Sequence, residues 1–276
     1  MTSSGYSDLA RPPLSEERLR RALLVPGGLW TGLRVVAGTA STNADLAAAA
    51  RSGAAEGAVL VAEEQSAGRG RLGRVWQSPP RAGIAASVLL RPAGVPASRY
   101  GWLPLLAGVA LVESVRDLAA VEAVLKWPND LLIDERKCAG ILAEAIPDDA
   151  GTAIVLGFGL NTTLREAELP RPDATSLQLA GAACVDRDPL LRAVLRGLAR
   201  WYLAWRAAGG DAVACGLAEA YRLHCGTLGR QVRAQLPGNE SLTGLAQDID
   251  SEGRLVVVTA AGRREPVSAG DIVHLR

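Results

Sequence analysis

VEAVLKWPNDLLIDERKCAGILAEAI, residues 121–146, holds the pattern from which the fold is read. Its apolar runs are too short for helices and are separated by Pro128-Asn129-Asp130 and Glu135-Arg136-Lys137. Short apolar runs between turn residues predict three strands, VEAVLKW, LLIDE and CAGILAEAI, joined by tight turns at PND and ERK. Just upstream, ASRYGWLPLLAGVALVESVRDLA (97–119) has a helical period and suits a central buried helix. Further back, GAVLVAEEQ (57–65) and IAASVLLRP (84–92) read as buried strands around a long polar loop, AGRGRLGRVWQSPPRAG. STNADLAAAARSG (41–53) predicts a helix capped by Ser41 or Thr42 and stopped by Gly53. Strand-like TGLRVVAG precedes it, after a short amphipathic helix, LSEERLRRALL, capped by Ser15; residues 1–12 read as disordered.

Downstream, AIVLGFGLNTT (153–163) is a further apolar strand. RDPLLRAVLRGLARWYLAWRAAG and DAVACGLAEAYRLH predict two helices. After Cys225 short strands alternate with turns, predicting a small all-β barrel over 226–276. The expected organisation is one large domain, 1–225, followed by that barrel.

Composition excludes several classes. An apolar fraction of 49% with 21% charged residues is that of an ordinary globular protein. A net charge of +1 provides no field to gather nucleic acid or an anionic membrane surface. No apolar run approaches a bilayer span, and the N-terminus lacks a secretory signal pattern, so a cytoplasmic location is expected. Four cysteines without a CxxC spacing read as reduced thiols.

Of 30 basic residues only Lys126 and Lys137 are lysine, and both lie in LKWPNDLLIDERKCAG. Coding bias toward arginine explains the scarcity but not the placement. An ammonium is a compact charge with three rotatable donors, which arginine cannot imitate. Turn formation accounts for Pro128, Asn129 and Asp130, but not for a carboxylate, a tryptophan and two lysines converging on one hairpin. Two ammonium groups beside an arginine-rich loop call for a polyanion.

That loop, Gly68-Arg69-Gly70-Arg71-Leu72-Gly73-Arg74, formally matches GxGxxG. The dinucleotide fingerprint must open a helix, which Pro79 and Pro80 prevent. Its glycines let backbone N–H groups approach an anion, and its guanidinium forks suit phosphate or carboxylate. No Walker A sequence exists, so any ATP is held by another architecture. The only histidines, His224 and His274, lie beside or within the barrel, where neither a hydrolase triad nor a metal site is easily built.

Ser41-Thr42-Asn43, Gln65 with GRGRLGR and Trp76, KWPND (126–130), KCAGIL (137–142) and GFGLN (157–161), in this order and spacing, resemble the catalytic core of biotin protein ligases. The resemblance runs from about residue 32 to the C-terminus. It implies an α+β fold: a mixed sheet with helices on one side, related to class II synthetase cores, plus a small SH3-like barrel. It also implies ATP-dependent biotinylation of a carrier lysine through biotinyl-5′-AMP. Biotin would be held by Ser41, Thr42, Asn43, Gln65, Gly68, Arg69, Gly70, Arg71, Lys137 and Gly140. ATP would be held by Arg71, Trp76, Lys126, Asn129 and Asn161. Lys137, Arg69 and Asp130 would be catalytic, with Asp130 either orienting a lysine or accepting the amine proton. Mg would enter with ATP, with no protein ligand. The partner would be the biotin carboxyl carrier domain of acyl-CoA carboxylases, with no nucleic acid or membrane partner, and the enzyme a monomer or weak dimer. STN begins at residue 41, so no N-terminal DNA-binding domain and no repressor function are expected. Without ligand, the 68–76 loop should be mobile.

Two rivals remain. A lipoate–protein ligase on the same scaffold would need an elongated apolar slot and gives no reason for GRGRLGR. A nucleic-acid-binding barrel would display aromatic residues for base stacking, and residues 226–276 contain none.

Overall fold

A computed structural model of the chain describes residues 11–148, 151–236, 240–268 and 270–275. Helix α1 (Glu16–Leu23) is capped by Ser15 as expected. Strand β1 (Gly32–Val36) leads to α2 (Thr42–Arg51), whose cap is Ser41 and whose exit is Gly53 in the left-handed region. Strand β2 (Ala58–Ala62) follows. The polar loop is then not irregular: it folds as a minimal hairpin, β3 (Gly68–Arg69) with β4 (Val75–Trp76), around one 3₁₀ turn at Arg71–Gly73. Next come β5 (Gly83–Leu90) and the 18-residue helix α3 (Trp102–Ala119), most of it buried.

The meander read from residues 121–146 is β6 (Ala123–Lys126), β7 (Asp130–Ile133) and β8 (Arg136–Asp148). The second turn falls on Asp134-Glu135, both at positive φ, rather than on ERK. Two left-handed residues give the tight hairpin turn whose twist matches that of its strands. Lys137 is thereby moved from the turn into β8. Strand β9 (Gly151–Asn161) and helix α4 (Arg187–Ala207) follow. The next helix is shorter than expected: α5 covers only Leu217–His224, because Gly216 at φ +78° interrupts the segment.

Seven strands form one mixed sheet in the order β1-β2-β5-β9-β8-β7-β6. Only β1 and β2 are parallel. Period-2 alternation sends each strand's residues to opposite faces. Ile154, Leu156, Phe158 and Leu160 of β9 enter the main core with α3, α4 and α5, whereas Ala153 and Val155 enter a second cluster under α2. Helices therefore cover both faces, and not one side as the resemblance implied; α2 stands alone on the second face. It leaves part of that face open.

Strands β10 (Gln231–Gln235), β11 (Ser241–Ile249), β12 (Leu255–Val258), β13 (Arg264–Val267) and β14 (Asp271–His274) form a separate antiparallel sheet, ordered β13-β12-β11-β10-β14, consistent with a small β-barrel. The apolar cluster runs unbroken from α3 and β6 into Val232, Ile249, Leu255 and Val257. At the junction the indoles of Trp102 and Trp127 donate to the carbonyls of Ser251 and Gly253, both at 3.1 Å. Trp127 N–H donates to Thr227 Oγ1, 3.1 Å away.

Of the N-terminal stretch read as disordered, residues 1–10 lie outside the described residues. Arg11 belongs to the fold: it is buried and pairs with Glu168, because its guanidinium also finds the Thr163 carbonyl.

Candidate active site

The open part of the α2 face is a cavity of about 280 Å³. Cross-strand pairing builds its floor. Gly140 lies opposite Gly159, Leu142 opposite Gly157, and Gly157 opposite Ser87. Partners in register share a face, so three glycines and a serine lie where larger side chains would otherwise fill the space. Two groups use that room. A Cβ on Gly157 would stand 2.0 Å from Asn43 Oδ1, and one on Gly159 would stand 2.4 Å from the indole of Trp76.

One end of the cavity is a buried polar wall at the start of α2. Ser41, Thr42 and Asn43 are each at most 5% exposed, although all carry polar side chains. Buried polar groups must find partners, and these do. Gln65 Oε1 accepts from Thr42 N–H (2.8 Å) and lies 3.0 Å from Thr42 Oγ1. Asn43 Nδ2 donates to Glu144 (2.7 Å), and Ser87 Oγ lies within hydrogen-bond distance of both Thr42 Oγ1 and Asn43 Oδ1. Ser41 caps the helix and also lines the cavity.

The opposite end is cationic. Lys137 Nζ lies 2.6 Å from Asp130 Oδ1 and 5.9 Å from the centre of the Trp76 ring. Backbone bonds on its outer side, Lys137 N–H to Asp173 O (2.7 Å) and Thr175 N–H to Lys137 O (2.9 Å), hold its strand rigidly. Arg71 reaches Asn129 Oδ1 at 3.3 Å and the Gly270 carbonyl at 3.4 Å. Burial holds its guanidinium below the ordinary arginine range, and Asp271 opposes that shift. Arg74 pairs with Asp271 of β14 at 2.6 Å, so the loop leans on the barrel.

Most of the residues expected from the sequence converge here. Ser41, Thr42, Asn43 and Gln65 line the polar end; Arg69, Gly70, Arg71, Trp76 and Lys137 line the cationic end; Gly140, Asn129 and Asn161 lie between. Three do not line it. Gly68 packs under the hairpin, where a Cβ would stand 2.4 Å from the Trp76 carbonyl. Asp130 stands behind Lys137. Lys126 pairs in register with Asp130 but sits on the edge strand two places out from Gly140, close enough to His274 to depress its basicity. It does not line the cavity, and β7 lies between its strand and that of Gly140.

Sequence reasoning missed Ser87, Glu144, Gly157 and Arg171. Ser87 was legible as a lone polar residue in an apolar strand. Arg171 comes from the 162–175 segment, which carried no motif, and lines the cavity while bound through both its Nε and Nη2 to Asp173. Asn161 is 3% exposed and donates to Thr175 O at 2.9 Å, while its Oδ1 has no partner and lies at the cavity wall.

The arrangement joins a hydrogen-bonding end for a small polar ring to a cationic end for phosphate or carboxylate. Comparison with known proteins agrees with it. Residues 38–161 match the model of the biotin/lipoate A/B protein ligase family, and residues 227–275 match the biotin protein ligase C-terminal domain. The chain is 48% identical over 273 residues to biotin–[acetyl-CoA-carboxylase] ligase of Mycobacterium tuberculosis, covering 98% of each. It is 34% identical to the bifunctional ligase/repressor BirA of Bacillus subtilis, over 96% of this chain and 81% of that one. Among solved structures it resembles the Aquifex aeolicus biotin protein ligase in complex with biotin and ATP, with TM-score 0.72 and 26% identity over 90% of this chain and all of the other. With both sequence models, a near-full-length relative and the cavity in agreement, the chain belongs to the biotin protein ligase family.

Proposed function

We propose that the protein is an ATP-dependent biotin–[biotin carboxyl carrier protein] ligase acting on a lysine of an acyl-CoA carboxylase carrier domain in the cytoplasm. The observation that carries this reading is the two-ended cavity, with paired donors and acceptors at one end and Lys137 with Arg69, Arg71, Arg74 and Arg171 at the other. The buried wall suits the ureido ring, whose carbonyl and N–H groups need partners of both kinds. The cationic end suits the acyl-phosphate.

In the first step the biotin carboxylate attacks the α-phosphorus of ATP. A carboxylate–phosphorus bond forms, the bond to the β-phosphate oxygen breaks, and pyrophosphate leaves. Lys137, with Arg69 and Arg71, is placed to meet the charge that grows on the phosphoryl oxygens. Asp130, at ion-pair distance from Lys137, orients that ammonium in this reading and does not act as a base. In the second step the carrier amine attacks the mixed anhydride, the C–N bond forms, AMP leaves and the amine proton is lost. Asn129 and Asn161 contact the nucleotide, and the free Oδ1 of Asn161 is suited to accept an N–H or O–H from it. Mg²⁺ entering with ATP would neutralise phosphate charge. Among the described residues, no helix is long and apolar enough to cross a membrane.

ATP–pyrophosphate exchange tests the reading without any carrier protein. Biotin is expected to support exchange and lipoate is not. Exchange that depends on lipoate alone overturns the substrate assignment.

A further inference from the structure

Three oxygen–oxygen contacts run in line along the closed end of the cavity. Gln65 Oε1 lies 3.0 Å from Thr42 Oγ1, which lies 2.7 Å from Ser87 Oγ, which lies 2.6 Å from Asn43 Oδ1. Both ends of this line are acceptors. The Nδ2 of Asn43 faces the Glu144 carboxylate at 2.7 Å and the Leu142 carbonyl at 3.3 Å, so its oxygen has to face Ser87. The Thr42 backbone N–H, at 2.8 Å, fixes the Gln65 amide with its oxygen toward Thr42.

Two hydroxyls therefore stand between two carbonyl oxygens, and each hydroxyl has one proton to give. Three contacts share two protons, so one contact goes without. Gln65 Oε1 already holds the Thr42 N–H, whereas Ser87 supplies the hydrogen bond to the buried Asn43 Oδ1. A buried acceptor left empty costs more than one served by another donor. Ser87 accordingly donates to Asn43, and Thr42 donates to Ser87. The missing proton falls in the longest contact, between Thr42 Oγ1 and Gln65 Oε1, and both residues line the cavity.

We propose that Ser87, with Asn43 and Glu144 behind it, is a specificity-determining residue. By drawing the Thr42 proton into the sheet, it leaves an acceptor pair that a ligand completes only by bringing an N–H donor. The inference rests on the biotin reading and deepens it. A cyclic urea carries an N–H on each side of its carbonyl, whereas a dithiolane carries none. Discrimination between the two acids thus begins at a residue that touches neither.

Removing the Ser87 hydroxyl frees the Thr42 proton to turn toward Gln65 and fill the gap. Calorimetry would compare biotin with the two cyclic-carbamate analogues in which one ring N–H is replaced by oxygen. The proteins would be the parent, Ser87→Ala and the near-isosteric Ser87→Cys, whose thiol donates and accepts weakly. The parent is expected to prefer biotin over one of the carbamates by about 100-fold, and both variants to shrink that preference by at least about tenfold, chiefly through weaker biotin binding. A role confined to packing would weaken both ligands alike and leave the ratio unchanged. Thermal melts confirm folding, and Ser87→Cys carries the test if the alanine variant does not fold. An unchanged ratio in a folded variant overturns the proposal, as does a parent that binds biotin and the carbamates equally. A parent that binds lipoate and not biotin overturns the functional reading beneath it.

Discussion

The polar wall and the arginine hairpin face each other across one cavity but are held in opposite ways. The wall is built from buried side chains on α2 and β5, of which Thr42, Asn43 and Ser87 are tied to one another and to Glu144 of β8 by short hydrogen bonds. The hairpin has two ladder pairs, exposes Leu72 (74%) and Val75 (64%) to solvent, and draws its longest-range support from Asp271 and the Gly270 carbonyl of the barrel. A site formed this way has its recognition geometry set before the ligand arrives. The charges proposed to act on the phosphate are carried by a segment with little structure of its own. Lys137 is the exception: a cation at the hairpin's end of the cavity that is mounted on the sheet.

The largest expected effect tests that exception. Lys137→Ala removes a preorganised donor, which typically costs ~3–4 kcal/mol of transition-state stabilisation, or roughly 100- to 1,000-fold in rate. Single-turnover formation of biotinyl-AMP should fall by that much, while biotin affinity measured by calorimetry stays within about tenfold. Lys137→Arg should rescue poorly, since a planar fork does not fit the place of a compact ammonium. Adenylation at the parent rate in Lys137→Ala would remove its role.

Next in size is a pair of glycine substitutions, one at each end. Gly157→Ala drives a Cβ into Asn43, which Glu144, Leu142 and Ser87 hold in place. Overpacking of this kind costs ~1–3 kcal/mol, and chemical denaturation should show it. Gly159→Ala first meets the indole of Trp76, which can lift away with the hairpin. It should weaken adenylate binding while stability changes much less. Equal losses of stability would erase the distinction between the two regions.

Most of the fold was legible because its strands and helices follow periodicity and caps that act locally. Ser15, Ser41 and Gly53 mark their helix ends, and the β6–β8 meander follows its turn residues. The site was legible in its motifs, STN, GRGRLGR, KWPND and KCAGIL, since those residues are chemically odd where they stand. What escaped depends on register. That Gly157 lies opposite Ser87 and Leu142, or that Lys126 ends on the sheet edge, follows from pairing between strands far apart in sequence. The one-residue difference in the β7–β8 turn has the same origin, because two left-handed residues at 134–135 carry no glycine to announce them.

A smaller effect is expected at the hairpin's tether. Asp271→Asn breaks a partly exposed ion pair with Arg74, so global stability should change by less than about 1 kcal/mol. Tryptic cleavage at Arg69, Arg71 or Arg74 should nevertheless quicken, and saturating biotin with ATP should slow it again. Cleavage unaffected by the substitution would mean that the barrel does not support the loop.

The smallest effect belongs to neither region and serves as a control. His274, beside Thr227 at the barrel junction, has its basicity lowered chiefly by burial, then by Lys126 and Arg230, with Glu135 opposing; His224 is lowered too, by burial and Arg116. A lowered folded pKa favours the neutral ring, so this contribution is complete above the ordinary value of about 6.5 and is lost as pH falls through the folded value. Melting temperature should therefore drop modestly between roughly pH 7 and pH 5, and His274→Gln should flatten part of the slope. A rise in stability toward acid pH would contradict the assignment.

The lysine inventory bears on self-labelling. A protein that makes an acyl-adenylate exposes its own amines to the acyl group it has just activated. This chain offers that hazard little to react with. Its surface cations are overwhelmingly guanidinium groups, which stay protonated and do not attack a mixed anhydride. Of its two side-chain amines, Lys137 is engaged as an ammonium by Asp130, and Lys126 sits half-buried on the edge strand, outside the cavity lining. The carrier lysine thus arrives at a reactive centre where the enzyme scarcely competes for its own intermediate.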